Sequence, residues 1–225
     1  MLLIETHMHN CEVSPCAKAK AADIPSVYLK AGYNGLAVTN HFSVYAFSLL
    51  DGATSLEKVK NFLYLSKLLV NEAKKQGLKA FLSMEVTLAK YQWQDYLIYG
   101  DIEKGVLDNP NLYMFTQAQL FDLATKHGWA VFQAHPFRTG CTLGLPRFMH
   151  GIEVYNGSHN SNEVFKRSVN FAKKNNLKMC AGGDFHDFGE EAKAGIYIPE
   201  DIDNEEQLAQ FLLNNQPELF MSNQY

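Results

Sequence analysis

The chain has 225 residues, 47% hydrophobic and 20% charged, with a formal net charge of -4. That balance is ordinary for a globular protein and gives no electrostatic reason to expect a nucleic-acid partner, and the length suits one α/β barrel better than two domains. No apolar run approaches the roughly 18 residues that cross a membrane, so no membrane association is expected. Met1 leads straight into an apolar run with no basic n-region, and the four cysteines (Cys11, Cys16, Cys141, Cys180) form no CxxC pair. A reduced, cytoplasmic protein is therefore expected.

Leu2-Leu3-Ile4 reads as a short buried strand, and His7 and His9 follow it. Alternate side chains of an extended chain point the same way, so two imidazoles in a His-x-His can face one point and supply half of a metal site. A turn-like stretch, residues 10–20, leads to a helix that begins near residues 23–25, with a proline in its first turn, and stops at Gly32. Residues 35–39 form a second buried strand that delivers Asn40 and His41, and residues 55–76 a long amphipathic helix closed by Gly77. Residues 79–87 are a third strand carrying Glu85, and a short strand at 96–99 is preceded by Asp95.

Thr116 and Gln119 have the spacing of a capping box, opening a helix that ends at His127-Gly128. The apolar run 129–134 delivers His135-Pro136-Phe137-Arg138. A strand at 152–155 then ends at Asn156-Gly157, and Val164, Phe165, Val169 and Ala172 mark a further helix. A strand at 178–182 runs into Gly183-Asp184-Phe185-His186, and a strand at 195–198 and a helix at 204–214 complete the chain. Residues 40–54 and 101–111 read as irregular loops. The alternation of strand and helix predicts a parallel sheet with helical crossovers, with about seven such units, enough to close a small TIM-like barrel. An open doubly wound sheet is the alternative.

The chemistry collects at strand ends. His7, His9, His41, Glu85, His135, Asp184 and His186 each stand at or just after the C-terminal end of a predicted strand, and in a β/α barrel those ends open onto one face. Imidazoles and carboxylates without thiolates suit zinc, manganese or iron. Five histidines and two carboxylates exceed what one ion needs, and Glu85 is suited to bridge two. His127, His150 and His159 are read as structural or surface residues. There is no Gly-x-Ser-x-Gly elbow and no Gly-x-x-x-x-Gly-Lys loop, so neither a serine hydrolase nor a nucleoside-triphosphatase is supported.

Thr6-His7-Met8-His9, Thr39-Asn40-His41, Met84-Glu85-Val86, Ala134-His135-Pro136 and Gly183-Asp184-Phe185-His186 together resemble, in order, the motifs of the PHP (polymerase and histidinol phosphatase) family. The resemblance implies a distorted (β/α)7 barrel, here a single catalytic domain over residues 1–225, with two or three divalent ions and phosphoesterase activity. By position, His7, His9, Glu85 and Asp184 would hold one ion, Glu85 would bridge to a second held also by His135, and His41 and His186 would hold a third. Asp95 stands where the family usually has a histidine and is kept as an oxygen ligand. The family's histidine or aspartate after His9 is missing, with Pro15 in that neighbourhood, so Glu12 or Cys16 is left to substitute. Asn40 and Glu5 stand where the family has aspartates.

The mechanism this implies is hydrolysis of a small phosphorylated substrate by a hydroxide shared between two ions about 3.5–4 Å apart. Asp184 and His186 would lie at the reacting centre, and Arg138 would grip the phosphate through its guanidinium fork. Arg147 and Lys193 are alternatives for that grip. Asn156 is placed to line the pocket, Glu153 to be a buried structural carboxylate, and Asp187 to support a ligand. The competing functions are an amidohydrolase-type hydrolase of C–N bonds and an inactive metal-binding PHP module.

Overall fold

The computed structural model describes residues 1–91, 93–159 and 161–222. The chain runs β1 (Leu2–Glu5), α1 (Ile24–Lys30), β2 (Gly35–Val38), β3 (His41–Phe42), α2 (Val44–Leu49), α3 (Ser55–Lys75), β4 (Lys79–Leu82), β5 (Met84–Thr87) and β6 (Asp95–Tyr99). It continues through α4 (Glu103–Asp108), α5 (Gln117–His127), β7 (Ala130–Gln133), β8 (Gly151–Asn156), α6 (Asn162–Lys174), β9 (Lys178–Gly182), β10 (Ala194–Ile198), α7 (Glu205–Asn214) and β11 (Glu218–Met221).

The helices start where their side chains satisfy the first free N–H groups. Thr54 accepts from Glu57 while Glu57 reaches back to the Thr54 N–H at 2.9 Å, so α3 opens with a capping box, and α5 does the same with Thr116 and Gln119. α5 stops at Gly128, whose φ of 69 needs no Cβ to be accommodated. α3 turns Val59, Phe62, Leu63, Leu69, Val70 and Ala73 inward, onto the fully buried strand β2 and its neighbour β4. One polar residue, Ser66, shares that buried face, and it meets the site.

The strands form two sheets, in the orders β11-β10-β1-β2-β4 and β3-β5-β6-β7-β8-β9. β2 and β4 each break, at residues 39–40 and at Ser83, before continuing as β3 and β5 in the second sheet. On the far side an isolated parallel bridge between Met8 and Phe185 ties the end of β1 to the end of β9, with His9 N–H donating to the Phe185 carbonyl at 3.0 Å. The α/β class is as expected, and the two sheets meet there through that bridge, not through a ladder.

The sheet is not purely parallel. β6 runs antiparallel to both β5 and β7, and β10 antiparallel to β1. The reversal of β6 matters, because it brings the first residue of that strand, Asp95, opposite Thr87 at the end where the neighbouring strands finish. The two segments expected to be loops contain the short helices α2 and α4, and β11 was not anticipated.

Candidate metal centre

β1 ends by delivering His7 and His9, both fully buried. Each imidazole is fixed through its Nδ1. His7 Nδ1 lies 2.9 Å from Glu153 Oε1 on β8, and His9 Nδ1 lies 3.2 Å from Ser14 Oγ. Ser14 in turn donates to Asn40 Oδ1 at 3.0 Å, and Asn40 donates to Ser66 on α3 at 3.2 Å. Asn40 therefore reaches His9 through Ser14 and needs no charge to do so. With both Nδ1 atoms engaged, both Nε2 atoms point at the same place, the arrangement that orients histidine for a cation.

That place is Glu85. Its Oε1 lies 3.3 Å from His7 Nε2 and 3.2 Å from His135 Nε2, while its Oε2 lies 3.5 Å from His9 Nε2 and 2.8 Å from His41 Nδ1. The parallel register of β3 on β5 sets His41 directly opposite Glu85. One carboxylate thus faces four imidazoles from two sides. Asp95 Oδ2 approaches His135 Nε2 to 4.0 Å. Just past β9, Asp184 Oδ1 lies 3.4 Å from His7 Nε2, His9 Nε2 and His186 Nδ1 alike.

Backbone geometry at two of these residues is strained. His135 and Asp184 adopt positive φ, 28 and 53, where residues other than glycine are uncommon. Both turn sharply just past a strand, which aims the side chain back over the strand ends. Glu5 holds the crossing below them. Its Oε1 accepts from the N–H groups of Thr6, His7 and Gly183 at 2.9, 3.0 and 2.7 Å, and Tyr28 donates to its Oε2 at 3.1 Å. A Cβ on Gly183 would sit 2.5 Å from that carboxylate, so only glycine allows the approach.

All the residues expected as ligands are therefore brought together, and Cys16 joins them where Glu12 does not. Cys16 Sγ lies 3.1 Å from His186 Nε2, whereas the Glu12 carboxylate accepts from the Ala21 N–H and from Asn10. Arg138 lines the cavity over this centre, its guanidinium 5.5 Å from the Trp93 ring. Arg147 lies instead over Phe148, and neither it nor Lys193 is among the cavity's lining residues. Asp187 pairs with Lys18 at the surface and supports no site side chain. Asn156 serves from beneath the wall, donating to Glu153 and to Asp184.

His159 corrects the sequence reading. Expected to be structural or at the surface, it lines the cavity with its Nε2 3.7 Å from Asp184 Oδ2. Asn156 Oδ1 accepts from the Ser158 and His159 N–H groups and so folds the turn that places it. The signal available in the sequence was its position three residues after Asn156, at the end of a predicted strand. His127 stacks on Trp129, and His150 Nδ1 accepts from the Val131 N–H, so those two are structural as expected.

The charges act strongly on one another. Burial works against a charged His7, but Asp184, Glu153 and Glu85 outweigh it and hold the imidazole well above its ordinary pKa. His9, equally buried but set between His41 and His186, is driven well below. Burial would raise Glu85 and Asp184, yet the surrounding imidazoles hold both carboxyls well below their usual range. Burial also opposes a charged His41, which Glu85 nevertheless lifts to about 10. For the Cys16 thiol burial is again outweighed, here by hydrogen bonds to His186 and His41 that bring it down to about 6.

The donor set fits divalent cations. His7 Nε2, His9 Nε2 and both Glu85 carboxylate oxygens are fully buried and carry no hydrogen bond among the described residues, although they face one another at ion-pair distance. A buried polar atom without a partner costs about 1–3 kcal/mol, and a cation among these atoms would satisfy all of them. Four overlapping groups have donor atoms within 4.8 Å of one another: His7, His9 and Glu85; His7, His135 and Asp184; His9, His41 and His186; and Asp95, His135 and Cys141. That is more than one ion can use.

No protein-family model matches the chain, and no curated protein is a significant match. Among solved structures, PsfC from Pseudomonas syringae is similar over 99% of this chain and 92% of its own, with a TM-score of 0.71 at 17% identity. A two-domain protein from Bacteroides vulgatus, containing a predicted PHP-like metal-dependent phosphoesterase, matches 98% of this chain with a TM-score of 0.68 at 17% identity. This chain spans 64% of that protein's length. A predicted metal-dependent phosphoesterase from Bifidobacterium adolescentis matches 93% of this chain and 95% of its own, with a TM-score of 0.57 at 12% identity. At these identities the likeness is one of fold. Together with the buried histidine and carboxylate clusters, it means that the chain has the fold of the PHP-like metal-dependent phosphoesterases and, in the place where its strands end, a donor set suited to several metal ions.

Proposed function

We propose that the protein is a metal-dependent hydrolase of phosphoesters, acting on a small phosphorylated substrate. The observation that carries this reading is Glu85, fully buried, faced by imidazoles on both oxygens and with no hydrogen bond on either among the described residues. Divalent ions bound there would polarise phosphoryl oxygens and make water acidic enough to attack at neutral pH.

The chain's own residues divide the remaining work. His7, His9, Glu85 and Asp184 would hold one ion. His135 and Asp95, with Glu85 between, would hold a second, and His41, His186 and Cys16 a third. Glu153 keeps His7 in the tautomer whose Nε2 is free to ligate, and Ser14 does the same for His9. The Arg138 guanidinium lies over Trp93 at the cavity wall with no hydrogen bond among the described residues, and its fork suits two phosphate oxygens. His159 is a further donor on the same wall.

The test is elemental analysis of the purified protein beside a panel of phosphate mono- and diesters with added Mn²⁺ or Zn²⁺. The reading expects bound divalent metal and hydrolysis abolished by chelation. Arg138→Ala should raise KM about ten-fold, the scale of a lost charged hydrogen bond, with metal content unchanged. Hydrolysis that survives complete metal removal would sink it.

A further inference from the structure

Resting on the phosphoesterase reading, we infer that the substrate carries a single phosphate esterified to an apolar, aromatic alcohol. The cavity above the buried donors has a volume of about 1180 Å³, larger than the ~300–1,000 Å³ of pockets that enclose drug-sized molecules. A single phosphate fills a small part of it. The metal-ligating residues make its floor, and most of the rest of the wall is apolar: Val44, Tyr45, Leu88, Tyr91, Trp93 and Met114.

Four of these lie at the mouth with their apolar surface in water. Tyr45 is 66% exposed, Trp93 55%, Val44 50% and Met114 47%. Large aromatic side chains left exposed around a concave site mark a binding surface more often than a packing accident. Two of the lining hydroxyl oxygens are already engaged. Ser43 Oγ caps α2, and Ser158 Oγ donates to the carbonyls of Gly183 and Asp184.

Charge argues for a single phosphate. Among the described residues lining the cavity, Arg138 is the sole lysine or arginine, and Glu190 stands on the same wall. A second phosphate group would meet a carboxylate and no further guanidinium or ammonium. Arg138 also joins the two halves of the site. Its guanidinium stacks over Trp93, so the group that binds phosphate and the ring that receives the alcohol are held side by side.

The experiment compares 2-phenylethyl phosphate, propyl phosphate and glycerol 3-phosphate on the metal-loaded protein, all of them esters of alkyl alcohols, so that leaving-group acidity does not set the order. The phenylethyl ester should have a kcat/KM at least about ten-fold above the other two, the effect of burying one phenyl ring. Trp93→Ala and Tyr45→Ala should each compress that ratio. Binding is read independently, because the chain's other tryptophan, Trp129, is fully buried and Trp93 is not. The non-hydrolysable 2-phenylethylphosphonate should alter tryptophan emission at lower concentrations than propylphosphonate does. Equal kcat/KM for the three esters, with hydrolysis intact, overturns the inference and leaves the phosphoesterase reading standing. Hydrolysis of no ester by fully loaded protein overturns both.

Discussion

The inner and outer halves of the metal centre use the same residue types in different surroundings. The inner half is His7, Glu85, His135 and Asp184, each no more than 4% exposed, anchored to strand ends and held by buried carboxylates such as Glu153. The outer half is His41, His186 and Cys16, with the two imidazoles about a quarter exposed and Cys16 an exposed residue. Its supports come from a turn, a two-residue strand and the loop after β9. One half is thus imposed by the fold, and the other is open to exchange. Inside, ions would answer a set of buried atoms that carry no hydrogen bond among the described residues. Outside, water can do much of the same work, so occupancy there follows ligand chemistry. A thiolate beside two imidazoles favours zinc over manganese.

The largest expected effect breaks the inner half. His7→Ala and Asp184→Ala should each lose bound metal and lower kcat/KM by about 10³-fold or more, the scale seen when an essential electrostatic group is removed. Full hydrolysis by purified His7→Ala protein, with contaminating phosphatase excluded, would contradict the assignment. Glu153→Gln leaves the ligands in place but loosens the hold on the His7 tautomer. It should weaken metal affinity about 10–100-fold, measured by titration with a competing chelator, with circular dichroism unchanged.

Cys16→Ser sharpens the contrast between the halves. It should remove one ion per chain at most while the inner ions stay, and in cobalt-substituted protein it should abolish the sulfur-to-cobalt charge-transfer absorption. If that absorption is absent from the unaltered protein, the thiol is no ligand.

The smallest effect concerns the crossing beneath the centre. Burial raises the Glu5 carboxyl from its ordinary 4.5 to about 7 in the folded chain. Between those values the folded state holds a proton that the unfolded state has released, so stability falls as pH rises through that window. Glu5→Gln keeps an oxygen for the three N–H groups and removes the titration. It should therefore flatten the fall, which for the metal-free protein is on the order of 3 kcal/mol, as followed by urea unfolding at pH 4.5, 6 and 7.5. An unchanged slope would show that Glu5 titrates normally.

Much of this was legible from local pattern. α3 and α5 followed from apolar spacing and capping boxes, and the seven residues at strand ends were found because a β/α arrangement brings such ends together. What escaped depended on direction and on distant contacts. The reversal of β6 is invisible in a four-residue apolar run, yet it carries Asp95 into the site. His159 was passed over because its role rests on Asn156 folding a turn against Asp184, a contact spanning 28 residues in sequence. Choosing Cys16 over Glu12 required knowing that Glu12 turns away to the Ala21 N–H. β11, whose residues alternate little and are partly exposed, gave no periodic signal to read.

The central claim is that the buried atoms around Glu85 exist to hold catalytic metal. It is tested most directly by counting metal per chain in protein purified without chelator, by elemental analysis, and following phosphate release as the ions are removed and restored. At least two divalent ions per chain are expected, with hydrolysis lost on their removal and regained on reloading. Fewer than two ions in a fully loaded sample, or hydrolysis that persists in metal-free protein, would contradict it.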